Sequence, residues 1–353
     1  MPKAKDIGKN KKFVRRIVWL CVAGAVVLSI LITVITLSVQ YSLPTIAENY
    51  WEDQTAGGEI EKKYAKLGPY AVDAREYTAA NYDGGAENHY KVWFPADAGT
   101  AAYPLVIMVN GTGCPYQRYE DIFYHLASWG FVVAGNDYET SWDGKAADET
   151  LEFVLQDEEL SAMVDKDRIG IGGHSQGGMG TFNAITQYEN GSLYKVCFSL
   201  SCVSHDLANF LGWHFTDDAE EDDMPAGTEE VEEESGAATG DTTEEEPETP
   251  YTYDTDGIGI PTLMLAGTAG FEGMIVSQED LQDSFDGLQG DAVLARREDT
   301  SHGDLLWQAD PYVTAWLMYY LQGDAYAGRA FFGDYPELSL NENWQDFANK
   351  TAA

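Results

Sequence analysis

The chain has 353 residues, 44% of them apolar and 12% aromatic, enough to bury the core of one large domain or two ordinary ones. Its 59 acidic against 21 basic side chains leave a formal charge of −38, which sets nucleic acid aside as a partner. Four cysteines and no CxxC pair exclude a disulfide-stapled scaffold and a zinc finger.

Residues 1–16 carry seven basic side chains against one acid, Asp6, and residues 17–39 follow as 23 positions without a charge. At 1.5 Å per residue that run makes about 34 Å of helix, enough to cross the hydrocarbon core of a bilayer. The next charges are Glu48, Glu52 and Asp53, so the positive-inside rule predicts a basic cytoplasmic tail at 1–16, a transmembrane signal-anchor at 17–40 and everything beyond it outside the cytoplasm. A cleaved signal peptide is the alternative. Cys21 fits a lipoprotein site poorly, because Val18-Trp19-Leu20 precede it and Trp is not small. Beyond residue 43 the chain holds 14 basic and 58 acidic groups, a solvated acidic surface that keeps an exported domain soluble. Residues 41–70 contain Pro44, Gly57, Gly58, Gly68 and Pro69 and read as a stalk with a short helix near 60–67.

From residue 71 strand-like and helix-like stretches alternate. Strands are expected at 71–80 and 89–94, joined by a turn at Asp83-Gly84-Gly85. Leu105-Val106-Ile107-Met108-Val109 is a continuous apolar run, as a buried strand requires, followed by the loop Gly111-Thr112-Gly113 and a helix at 119–128 that Gly130 ends. A strand at 131–134, a helix at 146–164, a strand at 169–172, a helix at 176–188 and a strand at 196–200 follow. Such alternation predicts an α/β domain over 71–335, with a mostly parallel sheet covered by helices on both faces.

Residues 217–249 interrupt it with 16 Asp or Glu, no Lys or Arg, and Met224 and Val231 as the only large apolar residues. A tract of that composition cannot bury enough surface to fold, so 217–250 reads as a disordered acidic insertion. It lacks the EF-hand pattern of a calcium loop. Alternation resumes with a strand at 261–266, a helix at 278–288, a strand at 292–296 and a helix at 311–321; residues 336–353 read as a C-terminal tail.

Gly173-His174-Ser175-Gln176-Gly177 is a GxSxG sequence set between an expected strand and an expected helix, the setting a nucleophile elbow needs. Together with the strand and loop at 105–113, "LASWGFVV" at 126–133, "GHSQGG" at 173–178, "PTLMLAG" at 261–267 and "SHGD" at 301–304, it makes residues 71–325 resemble the α/β-hydrolase superfamily. The resemblance is to serine esterases grouped around dienelactone hydrolase, chlorophyllase and cutinase-like polyester hydrolases.

That resemblance implies the order nucleophile, acid, histidine, with Ser175 as nucleophile and His302, beyond the last parallel strand, as base. The implied Asp after the strand at 261–266 is missing from Gly267-Thr268-Ala269-Gly270. Glu272 is the nearest carboxylate; Asp206 is the alternative acid, and Asp280 suits a helix start instead. The oxyanion hole is expected from the amides of Gln176 and Thr112, with Gly113 as alternative to the latter. Tyr116, Tyr138, Trp142, Trp213, Phe215 and Phe271 fall in loops where they could wall a substrate pocket. Residues 205–256 are expected to cover it.

Cys114, Cys197 and Cys202 are an odd number for an exported domain; Cys114 and Cys202 could be bridged, or all three could be buried thiols. No cofactor or metal pattern is present. The expected activity is that of a membrane-anchored serine hydrolase acting on a small-molecule or polymeric ester, with a same-fold peptidase or a non-catalytic binding ectodomain as alternatives.

Overall fold

A computed structural model of the chain describes residues 46–352, apart from 53, 80–87, 99, 139 and 216–251, and gives the backbone alone at 211–215. The expected tail and transmembrane helix at 1–40, and the acidic tract, lie outside the described residues. Among the described residues no helix is long and apolar enough to cross a membrane.

Among the described residues nine strands form one sheet: β1 (Val72–Ala79), β2 (Asn88–Pro95), β3 (Tyr103–Val109), β4 (Val132–Asn136), β5 (Val164–His174), β6 (Tyr194–Leu200), β7 (Thr262–Ala266), β8 (Ala292–Arg297) and β9 (Trp344–Lys350). Their order is β1-β2-β4-β3-β5-β6-β7-β8-β9. The six strands from β4 to β8 pair in parallel, and β1, β2 and β9 join antiparallel at the two edges. The central strands are apolar runs because helices cover both faces. One face carries α1 (Glu59–Tyr64), α2 (Glu120–Ser128) and α9 (Leu305–Gln322); the other carries α3 (Lys145–Gln156) and α5 (Gln176–Gln187). Leu105, Val106, Ile107, Val132, Ile169, Ile171 and Leu263 are wholly buried between them. The expected α/β architecture and mostly parallel sheet are therefore present.

Four expectations change. The helix foreseen at 146–164 is two, α3 and α4 (Glu158–Met163), because the Asp157 side chain accepts a hydrogen bond from the Leu160 amide and caps the second. The last helix starts at Leu305 and runs through Pro311. Proline offers no N–H to the carbonyl four residues back, and Gln54 Nε2 donates to that Trp307 carbonyl at 2.6 Å instead.

Residues 336–353 are no tail: α11 (Glu337–Leu340) leads into β9, paired with β8 from Trp344 opposite Arg297 to Lys350 opposite Ala292. The described part of the expected stalk, 46–70, is built into the domain, with Tyr50, Ile60 and Tyr64 buried. Tyr50 Oη donates to Asp310 on α9 at 2.6 Å, and Glu337 accepts from the Ile60 and Glu61 amides at the start of α1. The helices left to name are α6 (His205–Phe215), α7 (Glu272–Ile275), α8 (Gln278–Gly287) and α10 (Ala325–Gly328).

Candidate active site

The chain leaves β3 for β4 on one side and returns to β5 on the other, so the loops after β3 and β5 diverge at the carboxyl ends of the strands and open a crevice. Ser175 stands at this point, between the end of β5 and the start of α5, at φ 60° and ψ −124°. Such a conformation is costly for a residue with a Cβ and is held by its surroundings. The Ser175 amide donates to the Leu200 carbonyl at 2.9 Å, and the Gly178 amide returns to the Ser175 carbonyl at 2.9 Å. A Cβ at Gly173 would lie 2.3 Å from the Gly177 carbonyl oxygen, and one at Gly177 would lie 2.1 Å from that of Val109. Both glycines of the motif are thus required sterically.

His302, 4% exposed, lies in the loop between β8 and α9, and its Nδ1 donates to Glu272 Oε2 at 2.8 Å. Glu272, 1% exposed, opens the short helix α7 after β7. Its other oxygen accepts from the Gly267 amide at 2.9 Å and from Ser201 Oγ. Burial pushes the Glu272 carboxyl up, but hydrogen bonds from His302, Ser201 and Gly267, with the histidine's charge, outweigh it and hold the group below the ordinary carboxylate value. Ser201, at φ 46° directly after β6, is a residue that sequence reasoning missed. The only hint was its place at the end of a strand where the alternative acid was sought.

Asp206, in the first turn of α6, is exposed, and Asp280 caps α8 by accepting from the Ser277 amide at 3.0 Å and its hydroxyl at 2.6 Å. Of the three candidate acids, Glu272 is the one bonded to the His302 ring. His174 sits beside that ring, centroids 4.4 Å apart, with its Nε2 2.8 Å from the His302 carbonyl. Burial and the neighbouring His302 hold the His174 ring well below its ordinary pKa, so it stays neutral.

The loop after β3 runs beside the serine: a Cβ at Gly111 would lie 3.5 Å from that of Ser175. The Gly111 amide donates to Tyr119 Oη at 3.0 Å, which removes it from any other role and leaves Thr112 and Gly113 exposed in the turn. Gln176 starts α5, where main-chain amides lack helical partners, and its side chain accepts from the Ser141 amide at 3.0 Å.

The expected pocket walls divide. Tyr116 is buried edge-on against Trp93 of β2 and belongs to the packing under the loop. Trp142 is half-buried against the core, Tyr138 is half-buried with its hydroxyl on Glu149, and Phe271 is exposed beside Glu272. The side chains of Trp213 and Phe215 lie outside the described residues. Cys114, Cys197 and Cys202 are buried free thiols, so the Cys114–Cys202 bridge is not formed. Burial pushes Cys197 and Cys202 up to about 12, which makes them inert.

Residues 59–197 match a family model described as PET hydrolase-like. The matched stretch begins at α1, inside the expected stalk, takes in the β3 loop and the elbow, and ends before Glu272 and His302. It agrees with the resemblance to polyester hydrolases of the α/β-hydrolase group.

Proposed function

We propose that this chain, a serine ester hydrolase that is PET hydrolase-like over residues 59–197, cleaves carboxylic esters through an acyl-enzyme formed on Ser175. The observation that carries the reading is the buried Glu272–His302 pair beside a serine elbow. With Nδ1–H committed to the carboxylate, the neutral imidazole keeps its free electron pair on Nε2, the nitrogen that takes the Ser175 proton. Attack by Oγ on the ester carbonyl gives a tetrahedral intermediate whose oxyanion the amides of Thr112 and Gln176 stabilise. The imidazolium, stabilised by Glu272, then protonates the leaving alcohol, and water activated by the same histidine releases the acid.

The N-terminal run of 23 uncharged residues after a basic segment supports a single-pass anchor that holds this domain at the cell membrane, outside the cytoplasm. Hydrolysis of p-nitrophenyl acetate and butyrate by the detergent-solubilised full chain tests the chemistry. Ser175→Ala is expected to lower kcat by roughly 10⁶-fold; undiminished turnover in that variant sinks the reading.

A further inference from the structure

A continuous set of polar contacts leads from the N-terminal segment to the loop that carries His302. Arg297 ends β8 and is 6% exposed. Its Nη1 donates to Glu61 Oε1 at 3.0 Å, its Nη2 to the Thr55 carbonyl at 3.2 Å and its Nε to Gln308 Oε1 at 2.5 Å. Gln308, one turn into α9, accepts a second hydrogen bond at the same oxygen from Thr300 Oγ1 at 2.9 Å. Thr300 is buried, two residues before His302, and its single hydroxyl proton is shared with the Glu298 carbonyl at 3.0 Å.

The main chain of Thr300 faces the other way. Its carbonyl accepts from the amides of both Thr268 and Ala269 at 3.0 Å, in the turn that leads from β7 to Glu272. A Cβ at Gly267 would lie 2.2 Å from that carbonyl oxygen, so a glycine is what lets the two loops touch. Thr300 is therefore bonded through its backbone to the loop of the acid and through its side chain to Gln308. Neither residue carries out a step of the chemistry, yet both bear on how the base meets its acid, and an error of 1 Å in such a geometry costs about 100-fold in rate.

We infer that Gln308 is a positioning residue for His302, acting through Thr300 and itself held by Arg297, so that residues 55–61 form the outer support of the active site. The inference rests on His302 being the base of the proposed mechanism.

The test uses the full chain with three variants: Gln308→Leu, which removes the acceptor at similar volume; Gln308→Glu, which keeps it; and Thr300→Val, which removes the hydroxyl and leaves the Arg297–Gln308 contact. The readouts are kcat and KM for p-nitrophenyl butyrate, the rate of fluorophosphonate labelling at Ser175, and the melting temperature. Gln308→Leu is expected to lower kcat and the labelling rate by about 10- to 100-fold with KM changed by less than about twofold, and Gln308→Glu to restore most of the loss. Thr300→Val repeats the fall in kcat, and decides the matter alone if Gln308→Leu does not fold. Parental kcat in a folded Gln308→Leu or Thr300→Val, or a Gln308→Glu variant as impaired as Gln308→Leu, overturns the inference. A parent inert towards both ester and fluorophosphonate overturns the proposed function itself, whereas an active, Ser175-dependent parent with insensitive variants overturns the inference alone.

Discussion

His174 Nε2 donates to the main-chain carbonyl of His302 at 2.8 Å, so the residue before the elbow serine holds the backbone that carries the neighbouring imidazole. A carbonyl can only accept, which places the proton of the His174 ring on Nε2 and leaves Nδ1 buried without a partner.

Replacing His174 by Phe keeps a ring but leaves the His302 carbonyl unsatisfied, at about 1–3 kcal/mol of stability. Its pH signature has a definite sign. The folded pKa of His174 is depressed, so its contribution is complete above the unfolded value of about 6.5 and is lost as pH falls from there towards the folded value. The melting temperature of the parent should decline below about pH 6.5, and His174→Phe should remove that part of the decline; identical pH profiles for the two proteins would contradict this account.

Glu272 titrates in a lower window. Its folded pKa is also depressed, so the stability it contributes is present above about pH 4.3 and lost as pH falls below it. Glu272→Gln should flatten that acid limb and lower kcat at neutral pH by roughly 10⁴-fold, because a neutral amide cannot stabilise the imidazolium. Ser201→Ala removes a hydrogen bond to the same carboxylate and should cost about 1.5–3 kcal/mol by urea denaturation.

Gly177→Ala places a methyl 2.1 Å from the Val109 carbonyl oxygen, against the backbone of the central strand. Neither side can yield without moving β3 or α5. A loss of about 3 kcal/mol or more is expected by denaturant titration, whereas Gly273→Ala, in open space on α7, should sit within about 0.5 kcal/mol of the parent.

A protein beginning at residue 71, as a stalk ending at residue 70 would allow, leaves Arg297 buried without Glu61 and Asp310 without Tyr50. Loss of the Arg297 partner alone costs about 3–5 kcal/mol. That truncated protein should fail to unfold cooperatively in calorimetry, while one beginning at residue 46 should melt as a single transition.

What the residues show unaided is what depends on neighbours in the chain. Apolar runs such as 105–109 and the glycines around Ser175 announce buried strands and a sharp turn, because burial on both faces and a steric clash are properties of a few consecutive positions. Edge strand β9 was hidden for the same reason: Trp344–Lys350 has no long apolar run, and its pairing with β8 supplies what the pattern lacks.

The pairing of carboxylate and histidine belonged to the tertiary structure. Glu272 meets His302 across 30 residues through the bend of the β7 loop, and Ser201 reaches Glu272 across 71, so no local pattern separates Glu272 from Asp206. The segment 46–70 reads as a stalk because its partners Arg297, Asp310 and Asn341 lie more than 230 residues away, and a buried ion pair leaves no periodic trace in either strand of sequence that forms it. Periodicity reports which face a residue turns inward, whereas the group it meets there is chosen by the three-dimensional path of the chain.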